Sequence, residues 1–354
     1  MDITTTTNQD FLSTDSIEEE ICWYFVTTPE LELILHKHAQ VIQSLYDNGT
    51  PLFTKESLKR VGQQLDQYVE GRLEKNEMLI EDIMGNTIRF PIPEKPAPTL
   101  ISRDNKLGKL RPEINYGTIQ GSKIEAEFHG QYLGWHPQTA YLMLIPSWAH
   151  EDTVENTKFS VSQLGQILTD HKAEWQTTEE YHVLKSLVGW NPGFSKVRKI
   201  VGIALGALVE EDKEQRDSLM QYSLLLSLRE LIMQRGVTED VRCFAQDPAL
   251  CPTAATVLED AGIAVLDNPY AFTEVDDTTI VVSMYSNVPV KQIVTDIARP
   301  LAIMWTEPEV EADKINLSDP MSTRVESMLK NEYENLDFPY YQPFGEISLY
   351  LRKE

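Results

Sequence analysis

KIVGIALGAL, residues 199–208, is apolar from Ile200 onward, with a glycine, Gly206, near its end. A short unbroken apolar run reads as a strand buried on both faces. Such strands belong to parallel sheets covered by helices on each side. The glycine falls where the chain must leave the strand for a helix. In many α/β proteins that turn cradles a phosphate. The stretch therefore raises a fold and a site together.

The pattern repeats downstream. Residues 212–235 have helical length and are apolar nearly all round (Leu219, Leu224, Leu225, Leu228, Ile232), as in a buried helix. VRCFAQD reads as a strand. PTAATVLEDAG reads as a helix, with Pro252 in its first turn and Gly262 after its end. IAVLD, TTIVVSMY and PLAIMW read as further strands, with PVKQIVTDIA as a helix between the last two. SDPMSTRVESMLKNEYENL reads as a helix and GEISLYLRK as a closing strand. This alternation predicts an α/β, Rossmann-like, mainly parallel sheet with helices on both faces.

Upstream the organisation differs. Residues 1–20 are polar and acidic and are expected to form a disordered tail. Residues 30–48 have helical spacing. FTKESLKRVGQQLDQYVEGR is a second helix with Thr54 as its N-cap. Between 76 and 150, NTIRFPIP, SKIEAEFHG and TAYLMLIP read as strands, and residues 91–112 as a loop. A third helical block starts at Ser160, which has capping-box spacing to Gln163, and runs to Trp190. NPGFSK breaks the chain there. The expected division is a mixed α+β N-terminal region over 21–190 and a Rossmann-like domain over 196–354.

Length allows two domains or one large one. The formal net charge of −24 argues against nucleic-acid and anionic-membrane partners, whose phosphates need clustered Lys and Arg. The basic run Lys196–Lys199 is short and reads as a solvated strand edge. Three cysteines without metal spacing fit a reducing compartment rather than a disulfide framework. No signal peptide or membrane span is expected, so the predicted location is cytoplasmic or nuclear.

In an open parallel sheet, ligands bind beyond the carboxyl ends of the strands, where the strand order reverses. Those ends carry Ala204 to Ala207, Gln246-Asp247, Tyr285-Ser286-Asn287 and Thr306-Glu307. Gly206, Asp247, Tyr285, Ser286 and Asn287 are the expected ligand-binding residues. Asp247 could accept bonds from a ribose, or it could cap the helix near Pro252. Only one glycine of a dinucleotide loop is present. Ala204 carries a Cβ and is expected to resist a positive φ and close ligand approach. Glu125, Glu127 and His129 alternate and would share one face of a strand, either lining a pocket or facing solvent. No metal site is predicted. His38 is expected to be partly buried, and His171 and His182 to lie at the surface. Glu274 to Asp277 reads as a solvated acidic turn.

KIVGIALGAL, QYSLLLSLREL, FAQDPALCPTAATVLEDAGIAVL, TIVVSMYSNVPVKQIV, RPLAIMW and FGEISLYLRK, in this order, resemble the SRR1-like family. The resemblance covers about residues 196–310. SLYDNGTPLFTKESLKRVGQQL is similar to the N-terminal region of fungal members and extends it to about 41–65. It implies a Rossmann-like domain and a cytoplasmic or nuclear regulator. Plant members are linked to light signalling and the circadian clock, and animal members to haem-related regulation. Most members read G-L-G in the first loop, where Ala204 here replaces the first glycine. Many carry a P-H-C-like segment after the fourth strand. Tyr285-Ser286-Asn287 takes that place with neither histidine nor cysteine, so haem is not implied here.

The expected function is regulatory binding of a small ligand in the strand-end crevice, with no reaction assigned and protein partners unknown. The alternative is an enzyme of fungal specialised metabolism. One form is methyltransferase-like. The other is a sesquiterpene or isoprenoid diphosphate cyclase outside the usual classes. A cyclase would need Mg²⁺ held by carboxylates, for which Glu125, Glu127 and Glu307 are candidates, with His129 beside them. A partner-binding protein without a pocket is a third possibility.

Overall fold

A computed structural model describes residues 29–73, 77–91, 110–121, 143–150, 158–208, 213–236, 240–306 and 318–354. Helices α1 (Pro29–Asp47) and α2 (Lys55–Val69) open the described chain. Thr54 caps α2 in a capping box with Ser57. Two antiparallel pairs follow: β1 (Glu77–Glu81) with β2 (Thr87–Pro91), and β3 (Leu110–Tyr116) with β4 (Leu144–His150). Strand β3 begins inside the expected loop. Residues 110–112 leave that loop because each pairs with a residue of β4, from Leu110 with His150 to Pro112 with Trp148. The expected strand around Glu125 lies outside the described residues.

The helical block from Ser160 is two helices, α3 (Val161–Trp175) and α4 (Glu179–Trp190). Thr178 breaks it by capping α4, its side chain accepting from the Tyr181 amide. The Ser160–Gln163 capping box forms as expected. Then come β5 (Lys199–Ile203), α5 (Lys213–Gln234), β6 (Arg242–Gln246), α6 (Pro252–Asp260), β7 (Ile263–Val265) and the short α7 (Tyr270–Glu274). The chain closes with β8 (Thr279–Ser283), α8 (Val290–Ile297), β9 (Ala302–Thr306), α9 (Thr323–Glu332), β10 (Tyr333–Leu336) and β11 (Ile347–Arg352).

Seven strands form one sheet in the order β10-β11-β9-β8-β5-β6-β7. Strands β5 to β9 are parallel; β11 runs antiparallel to both β9 and β10. The fold is therefore the predicted α/β Rossmann-like one. The predicted last helix ends early: Tyr333–Leu336 pairs with Leu349–Arg352 of β11 instead of continuing α9. Ladder hydrogen bonds to an otherwise open edge outweigh local helical spacing there.

Alternation along β5 and β8 feeds two cores. Ile200, Ile280 and Val282 pack with α3, α4, α5 and α6. Val201, Ile203 and Val281 pack with α1, α2, α7 and α8. A Cβ on Gly202 would lie 2.6 Å from Leu205 and 3.2 Å from Leu225, so α5 comes down close onto β5. Among the described residues, no helix is long and apolar enough to cross a membrane.

Candidate functional site

From β5 the chain moves outward through β6 and β7, then returns to β8 on the other side of β5. The order reverses between β5 and β8. Helix α5, which follows β5, packs on one face of the sheet, and α8, which follows β8, packs on the other. The two loops leading to them part at this point, the place where open parallel sheets of this kind hold a ligand.

Both loops begin with a residue in the left-handed region. Ala204 has φ 56° and Tyr285 φ 52°. The expectation for Ala204 is thus corrected: it adopts the positive φ despite its Cβ. Each conformation costs an L residue about 1–2 kcal/mol. Each backbone amide is held by a neighbouring strand. The Ala204 amide donates to the Gln246 carbonyl at 3.0 Å, and the Tyr285 amide donates to Thr306 Oγ1 at 2.8 Å. The Tyr285 phenol lies against Gly345, where any Cβ would overlap its oxygen. Tyr285 is still 55% exposed.

Gly206, at φ 82°, is required twice over, since a Cβ there would also come within 2.2 Å of Ser218 Oγ on α5. Its amide donates to Asp247 Oδ2 at 2.6 Å, and the Ala249 amide donates to Oδ1 at 2.8 Å. Tyr222 Oη donates to the Gly206 carbonyl at 3.0 Å. Burial, with the Asp247 charge added, pushes the Tyr222 phenol well above its ordinary pKa, so it stays a donor. The expected capping role of Asp247 is not observed. Cys251 caps α6, its sulfur accepting from the Ala254 amide at 3.4 Å. Asp247 instead closes its own turn and pins the β5 loop to the β6 loop.

Of the predicted residues, the structure brings Gly206 and Asp247 into direct contact and sets Tyr285 on the adjoining strand end. Ser286 is buried and turned inward: its hydroxyl donates to the Val288 carbonyl and accepts from the Val288 amide. Asn287 is exposed. Glu125, Glu127, His129 and Glu307 lie outside the described residues. Among the described residues, no group of three or more His, Cys, Asp or Glu could hold a metal ion. Cys243 and Cys251 are free and buried. Burial pushes the Cys243 thiol up to about 12, which leaves it unreactive near neutrality.

Surface expectations are overturned at His171 and Lys199, while Lys196, Arg198 and Asp277 are exposed as expected. His171 is only 7% exposed, because it faces the core side of α3, and its Nδ1 bonds the Ile167 carbonyl. Lys199 is not solvated; its ammonium pairs with Glu274 at 3.0 Å and Asp276 at 2.9 Å. The acidic turn therefore binds the start of β5. His38 is partly buried, and His182 is exposed.

Sequence reasoning missed Asn268, Tyr116 and the pair Lys291–Asp319. Gln246 donates to Asn268 Oδ1 at 3.1 Å and accepts from the Ala271 amide at 2.9 Å; Tyr116 Oη also bonds Asn268. In the first turn of α8, the Lys291 amide donates to Asp319 Oδ1 at 2.9 Å and its ammonium to Oδ2 at 2.7 Å. Both side chains are 4% exposed. No local spacing links these positions, which meet only through the fold.

Two surface grooves lie elsewhere. One of about 570 Å³ runs along α4 past His182, Leu187 and Trp190. Another of about 370 Å³ lies between α3, α5 and α6, beside the Lys172–Glu230 pair. Neither touches the switch-point loops. Convergent polar groups and strained backbone favour the crevice over both grooves.

The parallel sheet with helices on both faces defines an α/β protein of Rossmann-like fold. Residues 164–350, more than half of the chain, match the SRR1 domain. The chain belongs to the SRR1 domain family. No curated protein matches it.

Proposed function

We propose that this chain is a regulatory SRR1-domain protein of fungal type that binds a small ligand in the crevice between the β5 and β8 loops. One observation carries the ligand reading. Two non-glycine residues, Ala204 and Tyr285, hold left-handed conformations at adjoining strand ends on the switch point. Strain of this kind persists where surrounding structure enforces it, and it clusters at ligand clamps. Gly206 and Asp247 form the fixed wall and Tyr285 the exposed one. Ser286 shapes the second loop from within, and Asn287 stands at the rim. The regulatory part, the fungal grouping and a cytoplasmic or nuclear location rest on the resemblance set out above.

The test is ligand retention. Full-length protein is incubated with a small-molecule cell extract, desalted and examined by native mass spectrometry. Tyr285→Gly relaxes the backbone while removing the exposed ring, so the variant should fold and lose the ligand that wild type retains. Equal retention by Tyr285→Gly and Asp247→Ala, both folded, would place the ligand elsewhere.

A further inference from the structure

Gln221 is a buried amide side chain in the first half of α5, a helix apolar nearly all round. It is only 5% exposed, and among the described residues its Oε1 has no hydrogen-bond partner. A buried carbonyl oxygen without a donor costs stability that an apolar side chain would not. Its place on the helix shows what it faces. Residues three and four apart share a helix face, so Ser218, Gln221 and Leu225 form one stripe. Both ends of that stripe lie on the β5 segment. Ser218 Oγ and Leu225 Cδ2 lie 2.2 Å and 3.2 Å from the points where Cβ atoms of Gly206 and Gly202 would stand. Tyr222, the next residue, donates to the Gly206 carbonyl. Helix α5 returns from the carboxyl end of β5, so its first half lies at the strand ends, and its side chains lean further that way. The Gln221 carbonyl is therefore directed at the β5 turn, on the switch point. The Ala204 and Gly206 amides of that turn donate to Gln246 and Asp247, so neither serves it.

We propose that Gln221 is a ligand-contacting residue, and that the small ligand of the switch point supplies the missing donor, an N–H or O–H group, to Gln221 Oε1. This rests on the ligand reading above and narrows it to molecules that carry a donor at that atom. An amide carbonyl only accepts, so the pairing has one direction. A molecule of the same shape with an acceptor in that place would set two acceptors against each other in a buried position. It should bind about tenfold or more weakly. Gln221 then sets specificity through a bond the ligand-free protein leaves unmade.

Stability and ligand retention, measured on the same full-length variants, separate this role from a structural one. Gln221→Met removes the carbonyl and keeps the side chain's length. Ligand-free, it should unfold in urea at a midpoint equal to or above that of wild type, because an unpaired buried acceptor is gone. After incubation with the small-molecule cell extract, it should retain about tenfold less ligand by native mass spectrometry. Ser227→Ala is the control. Ser227 is fully buried further along α5, and its Oγ also has no partner among the described residues. This variant should keep both the midpoint and the ligand. A lower midpoint for Gln221→Met, or its failure to fold, overturns the proposal, since the carbonyl is then bonded within the ligand-free protein, to the chain or to water. Loss of ligand in Ser227→Ala as well overturns it in favour of a general effect of α5 packing. Full retention by Gln221→Met with loss in Tyr285→Gly overturns it and leaves the ligand reading standing. Recovery of no ligand by wild type removes the ligand reading, and with it the proposal.

Discussion

A methyl group at Ala204 sits in a backbone conformation that glycine takes freely. The strain is about 1–2 kcal/mol, against about 0.5–1 kcal/mol of extra chain entropy that a glycine loses on folding. Ala204→Gly should therefore stabilise the protein by roughly 0.5–1 kcal/mol in urea unfolding. An unchanged or lower midpoint would mean that the strain is not relieved there. Gly206 was legible as a turn glycine, because a strand must end before a helix can start. Its pairing with Asp247 was not legible. Forty-one positions separate them, and only the parallel register of β5 with β6 brings the two strand ends together. Ala204 was misjudged because sequence shows the cost of a positive φ but not the Gln246 carbonyl that enforces it.

Elements with strong internal periodicity were readable, and those made by pairing were not. Strands β5 and β8 carry continuous apolar runs that declare double-sided burial, and helix α5 sets apolar residues nearly all round. Strands β3 and β10 contain prolines, charges or amides, and exist because a partner lies alongside. Helices α3 and α4, upstream of the break at 190–196, share one core with α5, a contact no local pattern announces. At this scale Lys291 and Asp319 join α8 to the chain entering α9. Asp319→Ala leaves an uncompensated buried ammonium and should cost about 3–5 kcal/mol. Replacing both residues together, as Lys291→Met with Asp319→Leu, should cost less than Asp319→Ala alone. A double variant worse than the single would show that the pair gives net stabilisation rather than mutual compensation.

The whole molecule carries a formal net charge of −24, so its response to acid has two opposing parts. Protonation relieves self-repulsion, but it also breaks native ion pairs. Burial alone would raise Asp276, yet hydrogen bonds from Thr278 and Lys199 and the Lys199 charge outweigh it and hold the carboxyl far below its ordinary range. Burial alone would lower Lys199, and its bonds to Asp276 and Glu274 outweigh that too. A carboxylate with a depressed folded pKa stabilises fully above its unfolded value of about 3.9, and the effect fades as pH falls toward the folded value. The raised Lys199 works the other way: its contribution is full below the unfolded lysine value and lost as pH rises through the folded one. Asp276→Asn should therefore destabilise near pH 7, and the gap to wild type should shrink below about pH 4 in urea unfolding. A constant gap down to about pH 3 would contradict the coupling.

The sheet ends on one side in β7, three residues long, and on the other in β10, four residues long with Glu334 exposed. Borders this short offer few unpaired backbone groups to a neighbouring molecule. The hydrophobic strands that could template a cross-β stack, β5 and β8, lie inside the sheet with partners on each side. Concentrated solutions should thus resist fibre formation while the sheet is intact, and seeding should begin only once β5 and β8 are uncovered by unfolding.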